Sequence, residues 1–256
     1  MAFRFLVLVV LVVNAGLAKA DFLTFNLVIP SSSLSLTGSA DVTGAGIFSY
    51  EAQAAGSLAT TYAGTFGVNV DNILNPTSIA FVSGSLTANN NGSWLPNNGG
   101  TSGTTAAIGN YGIAVTAIQA NAKLREVVFN LSAASTSVAS GTGAFSVTGQ
   151  TFQHTAGAID VFSALLGGGG TSALVNSGLN VNAANGTYTV SGGIATLTIP
   201  VTFSVGYAIP AAGVTGTNTF TGTLVGITAV PEPCSVILIG GAFGCVAFLR
   251  KRRIQS

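Results

Sequence analysis

Few residues in this chain are of the types that do covalent chemistry. His154 is its sole histidine. With Asp160 and any of many serines it has the parts of a Ser-His-Asp triad, in which the imidazole takes the nucleophile's proton and the carboxylate orients it. No G-x-S-x-G turn presents a nucleophile. The expectation is therefore a surface or locally bonded histidine at a strand end or loop. Asp41, Asp71 and Asp160 carry the hard oxygens that Ca2+ prefers, but no D-x-[DN]-x-[DN]-G loop gathers them. A carboxylate pair for glycoside hydrolysis would have to come from six scattered acids, which read as turn residues. "GTGAFSVTG" and "LGGGG" lack both G-x-G-x-x-G and a Walker lysine, so they read as turns or a loop. Cys234 and Cys245 both lie near the C-terminus, which leaves the middle of the chain without a thiolate zinc site or a disulfide framework. Neither catalysis nor a cofactor is expected.

Two further groupings have binding chemistry. The polar, glycine-rich stretch Asn89–Thr105, "NNNGSWLPNNGGTSGTT", holds the single tryptophan, Trp94. An exposed indole among amides suits stacking on a sugar ring, so Trp94 is the candidate ligand contact; otherwise it folds back to cap the core. "KLRE", Lys123–Glu126, gathers both cations of the middle with a carboxylate and reads as a solvated local ion pair.

The elements that position these residues are strands. In "TLTIPVTFSV", Leu197, Ile199, Val201, Phe203 and Val205 alternate with polar residues and Pro200, the signature of a half-buried strand. Pro200 cannot donate to a ladder and predicts an edge or a bulge there. "TYAGTFGVNVD" repeats the pattern with Tyr62, Phe66, Val68 and Val70 inward, and "VVFNLS", "GAFSVTGQTF", "GTYTVSG" and "TFTGTLVGIT" follow it. A helix is expected only at Ala158–Leu166, "AIDVFSALL". The predicted fold over residues 21–229 is an all-β domain, a β-sandwich or alternatively a β-barrel.

Only 6% of the 256 residues are charged, against roughly 25% in ordinary soluble domains. Over residues 21–229, Lys123 and Arg125 face Asp21, Asp41, Glu51, Asp71, Glu126 and Asp160, a net charge of −4. That balance excludes a nucleic-acid partner, whose phosphates require clustered cations. Outward faces of Thr, Ser and Asn repel little and leave the surface weakly protected against self-association.

The ends carry the remaining cations. Arg4, the apolar run Phe5–Val13 and the small-x-small triplet Ala18–Ala20 form a signal peptide over residues 1–20, with cleavage after Ala20. At the other end stand Pro231-Glu232-Pro233, an apolar run over Ser235–Leu249, and Arg250, Lys251, Arg252 and Arg253. The run predicts a single C-terminal transmembrane helix. The cations act as a stop-transfer clamp, since Lys and Arg beside a membrane segment stay cytoplasmic. Gly240 and Gly244 put small residues on one face of it.

In that order, residues 230–253 resemble the PEP-CTERM sorting signal of Gram-negative bacteria, with one departure at Cys234, where such tails more often carry Ser or Thr. The resemblance covers about 25 residues and none of the middle. It implies recognition by an exosortase, an integral-membrane sorting protease, with cutting near Pro231–Pro233. It also implies passage from inner-membrane anchorage to the cell surface or extracellular matrix. The expected role is structural or adhesive, with extracellular polysaccharide or further copies of the chain as partners. The alternative is a β-fold binding module for a carbohydrate or an apolar ligand.

Overall fold

The computed structural model describes residues 20–230. Ala18, Pro231, Glu232, Pro233 and Arg250–Arg253 lie outside them, as does the C-terminal apolar run; Ala20 is described and exposed. Among the described residues no helix is long and apolar enough to cross a membrane.

Among the described residues there are seventeen strands. The first six are β1 (Asp21–Leu27), β2 (Ser33–Val42), β3 (Gly46–Ser49), β4 (Glu51–Ala52), β5 (Ala59–Val70) and β6 (Ser78–Ala88). Then come β7 (Gly92–Trp94), β8 (Ala107–Gly109), β9 (Tyr111–Val115), β10 (Ala120–Ser137), β11 (Ala144–Phe145) and β12 (Thr151–Ser163). The last are β13 (Gly168–Ala173), β14 (Ser177–Leu179), β15 (Gly186–Ser191), β16 (Ile194–Ile209) and β17 (Val214–Ala229). The domain is all-β, as the alternation requires.

One antiparallel sheet runs β11-β15-β16-β17-β1-β5-β6-β10-β12-β13. β2 pairs with β17 and β5, and β14 pairs with β12. β14 and its flanks also reach β16: Val181 N donates to Thr202 O at 2.8 Å, and Asn176 Nδ2 donates to Gly206 O. β7 and β8 form a separate hairpin that lies over β9 and β10.

The predicted inward residues are the buried ones: Leu197, Ile199, Val201, Phe203 and Val205 on β16, and Tyr62, Phe66, Val68 and Val70 on β5. Inside, Phe152 stacks on Phe203 at 4.4 Å and Phe203 on Phe220 at 5.1 Å, with Phe129 edge-on to Phe203 at 5.0 Å. Such pairs add to plain burial because ring edges and faces carry opposite partial charge.

Pro200 does fall where β16 lacks a neighbour strand on one side. β15 pairing stops at Thr198, while pairing with β17 continues unbroken. Beyond that point the Asn180 side chain substitutes for a strand, donating to Pro200 O at 2.9 Å and accepting from Thr202 N at 2.9 Å.

The expected helix at Ala158–Leu166 does not form. Ala158–Ser163 is the end of β12 and the rest is a turn. The segment is apolar on both sides because both are covered. Ile159 and Val161 enter the core, while Asp160 and Phe162 lie beneath the loop that follows β7. A strand buried on two faces loses its alternation and resembles a helix in sequence.

Candidate functional site

Lys123 on β10 stands directly opposite Asp160 on β12. Both would normally face solvent, because their strand neighbours Leu124 and Ile159 fill the core. Both are instead fully buried, under the segment 95–107. The loop is fastened at several points. Gln53 Oε1 accepts from Leu95 N at 2.9 Å, and its Nε2 reaches Leu95 O and Ala122 O. Gly99 N donates to Asp160 Oδ1 at 3.0 Å. Gly100, at φ +64°, comes down on the β12–β13 ladder so closely that a Cβ would lie 2.4 Å from Gly170 O.

Beneath the loop the charges form one cluster. Arg125 Nε donates to Asp160 Oδ2 at 2.9 Å, and Arg125 also pairs with Glu126 at 3.2 Å. Lys123 Nζ sits 3.8 Å from Asp160 Oδ2 and donates to Asn98 Oδ1 at 2.6 Å. Its remaining neighbour is Ala107 O at 3.5 Å. The Lys123 stem lies on Gly109, where a Cβ would meet its Cγ at 2.7 Å. Burial pushes the Lys123 ammonium below the usual lysine range; the Asp160 carboxylate opposes that shift and the Arg125 guanidinium adds to it.

The solvated ion pair expected at Lys123–Glu126 is therefore corrected. Only Arg125–Glu126 resembles it, with Glu126 75% exposed, while Lys123 belongs to a buried network with Asp160. Sequence reasoning missed Asn98 and the pairing of Lys123 with Asp160, because strand register and a covering loop leave no local signal.

Trp94 is half-buried, not exposed. Its indole packs on Gly112 and Gly92, each of which would clash with the ring if it bore a Cβ. Its Nε1 is buried with no partner among the described residues.

His154 is likewise in the core and not at the surface. It lies 4.3 Å from the Phe129 ring, and its Nδ1 is 3.1 Å from Asn176 O. Burial lowers its pKa to about 4, against the opposing effect of the Asn176 carbonyl. Asp160 is six residues along the same strand, roughly 20 Å at 3.3 Å per residue, and is held by Arg125. The two do not form a triad. Asp71 caps Thr77 and Ser78, and no group of three His, Cys, Asp or Glu gathers among the described residues.

Two larger features complete the surface. Across β2, β17 and β16, in register, run the rows Ser35–Thr221–Thr202 and Thr37–Thr219–Ser204. Thr217 and Ser39 extend this hydroxyl face. At the end of the fold marked by the β16–β17 turn lies a cavity of about 210 Å³, walled by Val42, Val115, Val161, Tyr207 and Val214. Tyr50, also on its wall, donates to Asn218 Oδ1 at 2.9 Å.

Comparison with protein-family models, with curated proteins and with solved structures finds no match to this chain.

Proposed function

We propose that this is an exported surface or matrix protein with a structural or adhesive role, delivered by an exosortase-type sorting protease. The observation that carries the reading is the order of the ends: a leader over residues 1–20, then Pro231-Glu232-Pro233, an apolar run and four consecutive cations. The two prolines keep the cutting site extended, which is what a protease cleft grips. The anchored form faces outward, and cutting releases it from the inner membrane to the cell surface.

The β domain suits such a role. Its sheet closes into a barrel, a reading supported by the bonds from Asn176, Asn180 and Val181 to β16. Its core is filled by aromatic rings, and its outer face presents hydroxyls without charge. Those hydroxyls bond to the hydroxyls of a neutral polysaccharide or to another copy, with no like-charge repulsion to overcome. Trp94, half-buried on Gly92 and Gly112, is the residue that would stack on a sugar ring. No catalytic residue and no cofactor enter this reading.

The test is pull-down of the protein on matrix polysaccharide from the native host, with Trp94→Ala and Thr219→Val as variants. Retention that falls in either variant supports adhesion; no retention at all leaves an inert scaffold. A second reading, an apolar-ligand binding module, draws on the 210 Å³ cavity. That volume is below the roughly 300–1,000 Å³ of ordinary ligand pockets, so the structural reading leads.

A further inference from the structure

We propose that Lys123 and Asn98 become joined by an intramolecular isopeptide bond that the folded chain forms by itself, with Asp160 as the group that takes and returns the proton. The proposal rests on the geometry beneath the 95–107 segment and stands independently of how the chain is sorted.

Lys123 and Arg125 are the two cations of the described residues, and both sit in this cluster. Arg125 is bonded to Asp160 and Glu126. Lys123 is fully buried, yet its ammonium is poorly served. Three N–H donors meet one good acceptor, Asn98 Oδ1, one distant carbonyl at 3.5 Å, and a carboxylate at 3.8 Å that Arg125 already holds. A buried charge so weakly paired is costly, and the neutral amine relieves that cost. A neutral amine is also the nucleophilic form.

The one close partner of that amine is a carboxamide. With Oδ1 at 2.6 Å, the carbonyl carbon of Asn98 is at most one C=O bond, about 1.2 Å, further away. That is close to the separation of roughly 3–3.5 Å from which bond formation starts. The amine is held by its stem against Gly109, and Asn98 is held by its neighbour's N–H on Asp160. Asn98 itself is exposed, which gives a leaving group a path to water.

The step balances without an oxidant or a co-reactant. Asp160 Oδ2 closes from 3.8 Å and takes a proton from the Lys123 ammonium. The freed lone pair attacks Asn98 Cγ, and the Nζ–Cγ bond forms as the carbonyl oxygen takes negative charge. Asp160 returns its proton to Nδ2, the Cγ–Nδ2 bond breaks, and the departing ammonia takes the surplus proton of the attacking Nζ, so that it leaves as ammonium. An amide replaces a primary amide and an ammonium ion, and Asp160 is left as a carboxylate paired with Arg125. A domain without cysteine thereby gains a covalent tie between the loop after β7 and β10.

Mass spectrometry of the full chain, purified, denatured and digested with trypsin, tests this. No Lys or Arg lies between Lys19 and Lys123, so an uncrosslinked chain yields a peptide of residues 20–123. The crosslinked chain resists cutting after Lys123, since acylated lysine is not a trypsin site. It gives residues 20–125 instead, lighter by one ammonia. Asn98→Ala, a change at an exposed loop position, restores full mass and cutting after Lys123. Asp160→Ala slows formation by about a hundredfold, the usual contribution of a positioned proton acceptor. Full mass with ordinary cutting after Lys123, in fresh and in prolonged-incubation samples of folded protein, overturns the proposal. Loss of ammonia that persists in Asn98→Ala also overturns it. Crosslinking at an undiminished rate in Asp160→Ala removes Asp160 from the mechanism.

Discussion

His154 makes the stability of this fold depend on pH between about 6.5 and 4. Its ring packs against Phe129 and lies near Phe220, and its Nε2 is buried with no partner among the described residues. Protonation would place a charge there, which is why its pKa falls from 6.5 to about 4. An unfolded chain binds that proton readily near pH 6.5, whereas the folded chain refuses it until about pH 4. Stability is therefore complete above about pH 6.5 and declines as pH falls toward 4. At about 1.36 kcal/mol per unit, the loss is about 2 kcal/mol at pH 5 and about 3 kcal/mol at pH 4. Urea unfolding followed by the fluorescence of Trp94 reads this directly, at pH 7, 6, 5 and 4. Replacing His154 by Phe, which keeps a ring against Phe129, should flatten the slope between pH 6.5 and 4. A wild-type profile that is already flat over that range, or a His154→Phe profile as steep as the wild type, would refute the reasoning.

Phe203→Ala removes a ring stacked on Phe152 and Phe220, and should cost about 3–5 kcal/mol in the same urea assay. Gly109→Ala forces a methyl against the Lys123 stem; it should cost about 1–3 kcal/mol and lower the yield of any Lys123–Asn98 linkage. Intact-mass measurement on protein from the native host should find a chain beginning at Asp21 and lacking Arg250–Arg253; a species that retains Met1, or a released form with the basic cluster, contradicts the sorting proposal. Changing Arg250, Lys251, Arg252 and Arg253 to Gln removes charges that each cost about 2.5–3.5 kcal/mol at the bilayer centre, so the variant should slip through uncut. Fractionation that finds it cut and released like the wild type shows that the cations are not the clamp.

Strands with one buried face were legible in the sequence, because alternation is a local pattern. β5 and β16 have the inward sets that their spacing predicts. The reading broke down where a strand changes parity or is covered twice. On β10, Leu124 points inward and so does Val127, because a bulge at Glu126, with φ +54°, moves the pattern by one. β12 has the matching irregularity near Gly157, and beyond it the outer face is covered by the loop after β7. Alternation cannot survive either event, so "AIDVFSALL" resembled a helix. The charge cluster failed to show for the same reason: Lys123 and Asp160 are 37 positions apart and meet only through register. His154 is locally bonded, one of the two readings its sequence allowed, but its burial was missed because one polar residue in an alternating run carries no sign of what packs on it. The ends are the reverse case. Their signals are compositional and need no fold to be read, and residues 1–19 and 231–256 lie outside the described residues.

The placement of β17 has a mechanical consequence. It is the last strand of the described residues, which end at Val230, tied to Gly193 O at 2.8 Å. From Val214 to Ala229 it is bonded along its length to β16, and on its other side to β2 and then β1. Antiparallel ladder bonds lie across the strand direction. Tension that enters at Val230 and is resisted at the opposite end of the fold therefore loads those bonds in shear, all together, instead of peeling them one by one. A chain tethered through its C-terminus thus meets a pull with a 16-residue strand that is paired on both sides.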